Sequence, residues 1–101
     1  MNEICGFGLY LWSDGKKFHG NWFNNKMHGN GHLWWPDGKE YDGEFFEDKR
    51  QGYGKFKWKD GREYEGEWMK GKQHGVGLYR NNKGEERKGQ WVDGKRTSWL
   101  N

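Results

Sequence analysis

The sequence predicts an all-β fold: a single-layer, elongated, twisted antiparallel meander of tandem β-hairpins. Three observations carry that prediction. Paired glycines recur four times at a 23-residue spacing, as Gly6-Phe7-Gly8, Gly29-Asn30-Gly31, Gly52-Tyr53-Gly54 and Gly75-Val76-Gly77. Between these landmarks apolar residues and glycines alternate with polar ones at period two, the signature of a strand with one covered face, and no stretch follows a helical period. An Asp-Gly or related turn divides each unit at a fixed offset, and Asp-Gly between strands marks a hairpin. A repeat of this length is one supersecondary unit that cannot bury its apolar face alone. The 101 residues are therefore read as one array, 1–101, with units at about 6–28, 29–51, 52–74 and 75–97.

Each element follows from its inward residues. The first strand of a unit sends Tyr10, Leu33, Phe56 or Tyr79 inward, and two places later Trp12, Trp35, Trp58 or, in the last unit, Asn81. The loops are Ser13-Asp14-Gly15, Pro36-Asp37-Gly38, Lys59-Asp60-Gly61 and Asn82-Lys83-Gly84. Inward residues keep the same parity across them, so each loop is odd, and a three-residue loop with a left-handed glycine fits. The return strand brings Phe18, Tyr41, Tyr64 or Arg87 inward, then Trp22, Phe45, Trp68 or Trp91. The connection between units has the opposite parity. That predicts a two-residue turn at Asn25-Lys26, Asp48-Lys49, Gly71-Lys72 and Gly94-Lys95.

Laid side by side, these strands make rows. One is aromatic or aliphatic, running through Tyr10, Phe18, Leu33, Tyr41, Phe56, Tyr64 and Tyr79. The next is all glycine: Gly8, Gly20, Gly31, Gly43, Gly54, Gly66, Gly77 and Gly89. A third alternates glycine with Trp22, Phe45, Trp68 and Trp91. Rings are expected to lie flat over the bare glycine backbone, which lets a single layer bury large side chains without a second one.

Composition narrows the function classes. Only 31% of residues are hydrophobic while 19% are aromatic, and glycine numbers 18. A mean hydropathy of −1.43 alone would suggest disorder; eight tryptophans at repeat positions argue for an ordered aromatic seam instead. The net charge of +3 permits contact with phosphates or acidic lipids without requiring it. One cysteine, Cys5, leaves no intrachain disulfide and fits a reducing compartment. No apolar run is long enough for a membrane-spanning helix, and the start has no signal-peptide pattern. A cytoplasmic location is the expectation, cytoskeletal, ciliary or membrane-associated within it.

The repeat resembles the MORN repeat, whose pattern runs close to Tyr-x-Gly-x-Trp-x-x-Gly-Lys-x-x-Gly-x-Gly. The best match is Tyr64-Glu65-Gly66-Glu67-Trp68-Met69-Lys70-Gly71-Lys72-Gln73-His74-Gly75-Val76-Gly77, and similar strings begin at Phe18, Tyr41 and, more weakly, Arg87. The resemblance implies a trough-like sheet of hairpins and a role in scaffolding, protein–protein contact or membrane association, in settings that include ciliary spokes, membrane junctions and lipid-kinase regulatory segments. The last unit departs from the pattern at Asn81, Lys83 and Arg87 and reads as a more polar terminal unit.

No residue set here suggests catalysis, a metal site or a cofactor. Gly-x-Gly without a following helix is not a dinucleotide loop, His28 and His74 share a repeat position with Gln51, and Ser13, Ser98 and Cys5 lack a recognisable base. Lys26, Lys49, Lys72 and Lys95 recur in the inter-unit turn and would line one long edge of the trough. They serve either solubility or weak contact with anionic lipid or phosphate. The aromatic trough itself is the stronger candidate, since contiguous apolar surface on a monomer commonly marks a docking site. Tyr10, Trp12, Trp35, Trp58 and Tyr79 are its expected contact residues, with a helix or peptide of a larger complex as partner. Self-association through the sheet ends or the aromatic face is a further expectation, and nucleic acid is not.

Overall fold

The computed structural model describes residues 6–100. They form nine strands, β1 (Gly6–Leu11), β2 (Lys17–Phe23), β3 (Lys26–Trp34), β4 (Glu40–Phe46), β5 (Lys49–Lys57), β6 (Glu63–Met69), β7 (Lys72–Arg80), β8 (Glu86–Val92) and β9 (Lys95–Trp99). These make one antiparallel sheet in sequence order, with no helix among the described residues. The shape is elongated, 51 × 23 × 17 Å. The predicted fold class and hairpin registers are those observed: Tyr10 faces Phe18 and Gly8 faces Gly20 across the first hairpin.

The three-residue loops close as the parity requires. In the first hairpin the Trp12 amide donates to the Lys16 carbonyl at 2.9 Å, and the Gly15 amide donates to the Trp12 carbonyl at 3.0 Å. The same pair of bonds recurs at Trp35, Trp58 and Asn81. Gly15, Gly38, Gly61 and Gly84 have φ between 88° and 102°, the left-handed region that a side chain disfavours. The loop aspartate braces the turn: Asp14, Asp37 and Asp60 accept from the amide two residues on. In the last unit the Asn81 side chain takes over that role, accepting from the Lys83 and Glu85 amides.

The glycine track behaves as expected. A Cβ on Gly31 would lie 2.3 Å from the Phe18 ring, on Gly54 2.1 Å from the Tyr41 hydroxyl, and on Gly77 2.4 Å from the Tyr64 ring. Phe18, Tyr41 and Tyr64 are the largest fully buried side chains, and Tyr41 and Tyr64 donate to the Glu44 and Glu67 carbonyls at 2.9 Å. A hydroxyl buried in this way must find an acceptor.

The inter-unit turns differ from expectation by one residue. They are Asn24-Asn25, Glu47-Asp48, Lys70-Gly71 and Asp93-Gly94, each with both residues at positive φ. This is the primed turn that suits strand twist. Lys26, Lys49, Lys72 and Lys95 therefore begin the next strands and pair with Phe23, Phe46, Met69 and Val92. A β-bulge then restores the rows: the register shifts between Trp22↔Met27 and Gly20↔Gly31, and likewise in the next two units. Left-handed Gly29, Gly52 and Gly75 (φ 75–88°) lie in the bulged stretches, which explains the first glycine of each unit.

At β9 the bulge glycine is replaced by Ser98, which is not left-handed. Gly89 consequently faces Trp99 rather than Leu100, the residue the repeat would supply. Trp99 packs inward against Trp91 and Tyr79, each at a centroid distance of 6.2 Å, and covers Gly89.

Candidate binding trough and its two edges

All five expected contact residues, Tyr10, Trp12, Trp35, Trp58 and Tyr79, share the inner face. Trp12, Trp35, Trp58 and Tyr79 are half-buried against the core formed by Phe18, Trp22, Leu33, Tyr41, Phe45, Phe56, Tyr64, Trp68 and Trp91, and Tyr10 is exposed. The three tryptophans line the loop edge at two-strand intervals, roughly 10 Å apart. Each carries a cation on its ring: Lys16 on Trp12 at 4.7 Å, Lys39 on Trp35 at 5.7 Å and Arg62 on Trp58 at 5.2 Å. Lys39 and Arg62 are also paired with Asp37 and Asp60 at 3.3 and 2.8 Å. Positive charge at this edge is thus largely answered within the molecule.

The turn edge is built otherwise. Lys26, Lys49, Lys72 and Lys95 lie there on the outer face, and none makes an ion pair among the described residues. Their cross-strand partners Phe23, Phe46, Met69 and Val92 are 43–56% exposed. The His28 ring bridges Phe23 and Phe46 at 5.7 and 5.1 Å. This apolar row was not anticipated from sequence, although its members recur every 23 residues. The rest of the outer face carries a charged ladder in which Glu63 accepts from both Lys55 and Arg80.

A second unanticipated series occupies the inner face beside the third row: Met27, Arg50, Gln73 and Arg96. They stand across from Trp22, Phe45, Trp68 and Trp91. Their carbonyls help to join the units, since the amides of Asp48, Gly71 and Gly94 donate to Met27, Arg50 and Gln73 at 2.9 Å. Arg50 is half-buried, with its guanidinium over Trp68 at 4.7 Å, Phe56 at 5.3 Å, and Trp35 and Tyr41 at 5.9 Å. Burial holds its pKa below the usual arginine value. Burial likewise pushes the Tyr41 phenol up, and that of Tyr64 up to about 12.

Among the described residues no group of three or more His, Cys, Asp or Glu side chains is placed to hold a metal ion. The described residues thus form a one-layer hairpin array with an aromatic inner face and lysines and arginines along its edges. The chain matches the MORN repeat over residues 1–17, 18–40, 41–61, 64–85 and 88–97, and it belongs to the MORN-repeat family. Such repeats are protein- and membrane-interaction modules, generally non-enzymatic. A search of curated protein sequences finds no match to the chain.

Proposed function

We propose that the chain is a non-enzymatic scaffold whose trough receives a helix or peptide of a larger assembly, cytoskeletal or ciliary in setting. The observation that carries this reading is the half-buried tryptophan line Trp12, Trp35 and Trp58. Its roughly 10 Å period matches seven residues of an α-helix, about 10.5 Å. One helix face could therefore meet successive tryptophans at i, i+7 and i+14, the spacing by which grooves read amphipathic helices. The test is co-purification from cell extract with mass spectrometry, comparing the native chain with Trp35→Ala and Trp58→Ala variants whose circular dichroism is unchanged. A protein retained by the native chain and lost from the variants supports the trough; retention by both sinks it.

A second reading has its own observation. The alternation of exposed Phe23, Phe46, Met69 and Val92 with Lys26, Lys49, Lys72 and Lys95, which make no ion pair among the described residues, suits an anionic bilayer surface. Each lysine near such a surface contributes about 1 kcal/mol. Sedimentation with anionic vesicles, abolished by Lys26, Lys49 and Lys72→Glu, would favour it. Indifference to vesicle charge would count against it.

A further inference from the structure

We infer that Arg50 selects the trough's occupant, and that the helix or peptide presents an acidic side chain to it, flanked by large apolar residues. The inference rests on the docking reading above and names the chemistry of the partner. A guanidinium has five N–H donors. One hydrogen bond is found at Arg50, from Nη2 to the Gly71 carbonyl at 2.8 Å, and no carboxylate lies within ion-pair distance among the described residues. The nearest acid in sequence, Asp48, is turned away, its carboxylate accepting from the Met27 amide at 2.7 Å. The four surrounding rings offer their faces to a cation but accept no ordinary hydrogen bond. Partly desolvated charge in proteins is normally paired, and the planar fork of arginine matches a carboxylate in two-point contact. Met27 and Gln73 occupy the same repeat position on either side and Arg96 occupies it in the last unit, so the fold accepts uncharged side chains there as well as a cation.

The probes are three synthetic amphipathic helices, with leucines seven residues apart and Glu, Gln or Lys facing the trough between them. Tryptophan fluorescence reads the titration against the native chain and against Arg50→Met and Arg50→Gln, the residues that neighbouring units already carry. The native chain is expected to bind the Glu peptide about tenfold tighter than the Gln peptide, and the Lys peptide more weakly still. Both variants should keep leucine-dependent binding and lose the discrimination to within about twofold. Added salt should narrow the preference in the native chain only. If the native chain binds all three peptides equally, or if the variants retain the preference, the role of Arg50 is overturned while docking stands. If the native chain binds none, the docking reading falls and this inference falls with it. A variant that melts before the titration is replaced by Arg50→Lys, which keeps the charge and should retain part of the preference.

Discussion

Gly54 and Gly8 stand in one row of the sheet, yet their surroundings differ. Over Gly54 lies the Tyr41 ring, closer than any side chain would tolerate; over Gly8 nothing lies within 4 Å among the described residues. The middle of the array has neighbours on both sides, so each ring from β2, β4 and β6 covers the glycine beside it. At the ends the same residue types do less. Tyr10 is exposed where its equivalents Leu33 and Phe56 are buried, and beyond β8 the ring over Gly89 comes from Trp99 by a slipped register. The repeat thus specifies a cell that is complete only between two others, and stability should be concentrated in the middle.

That contrast can be broken by substitution. The largest effect is expected at Trp68, which is buried and donates from Nε1 to the Gly54 carbonyl at 3.1 Å. Trp68→Ala should cost about 4 kcal/mol, whereas Trp99→Ala at the end should cost about half that. Urea denaturation measures both, and equal losses would refute the gradient. Gly54→Ala comes next, at about 3 kcal/mol from overpacking under Tyr41, while Gly8→Ala should stay within about 0.5 kcal/mol.

Tyr64→Phe should cost about 1 kcal/mol at neutral pH by removing the hydrogen bond to the Glu67 carbonyl. Its pH dependence sharpens the point. The folded phenol has its pKa raised from 10 to about 12, so its contribution is fully present below pH 10. It is lost as pH rises from 10 through 12, because the unfolded chain gives up its proton first. The native chain should therefore weaken over that window more steeply than Tyr64→Phe, and stability curves at about pH 9 and about pH 11.5 check this. The smallest effect belongs to Ser98→Gly. It permits the left-handed bulge seen at Gly29, Gly52 and Gly75, and should shift stability by less than about 0.5 kcal/mol. One more tryptophan should become open to acrylamide quenching as Trp99 leaves the inner face.

The parts of the fold that sequence revealed are those set by parity and repetition. The rows, the three-residue loops and the ring-over-glycine packing all follow from which side of a strand a residue occupies, and parity fixes that. What escaped was set by backbone conformation. A two-residue shift in register leaves parity unchanged, so Asn24-Asn25 followed by a bulge at Gly29 gives the same rows as a turn one residue later. Only the demand for two left-handed residues separates the alternatives, and Asn, Asp and Gly at those places were the available signal. The candidate site was half legible for the same reason. The tryptophan line was visible as a repeat position. Arg50 was hidden because Met27, Gln73 and Arg96 fill its position elsewhere, so identity varied while geometry did not. The apolar row at Phe23, Phe46, Met69 and Val92 was hidden because period-two alternation assigns outward positions to polar residues.

Contacts run almost entirely between strands adjacent in sequence, and this has a mechanical corollary. Held by the two ends of this sheet and stretched, the molecule has no distant clasp to break among the described residues. It would open one hairpin at a time, giving a sawtooth of small force peaks, each lengthening the chain by a single repeat, with the two outermost hairpins yielding first.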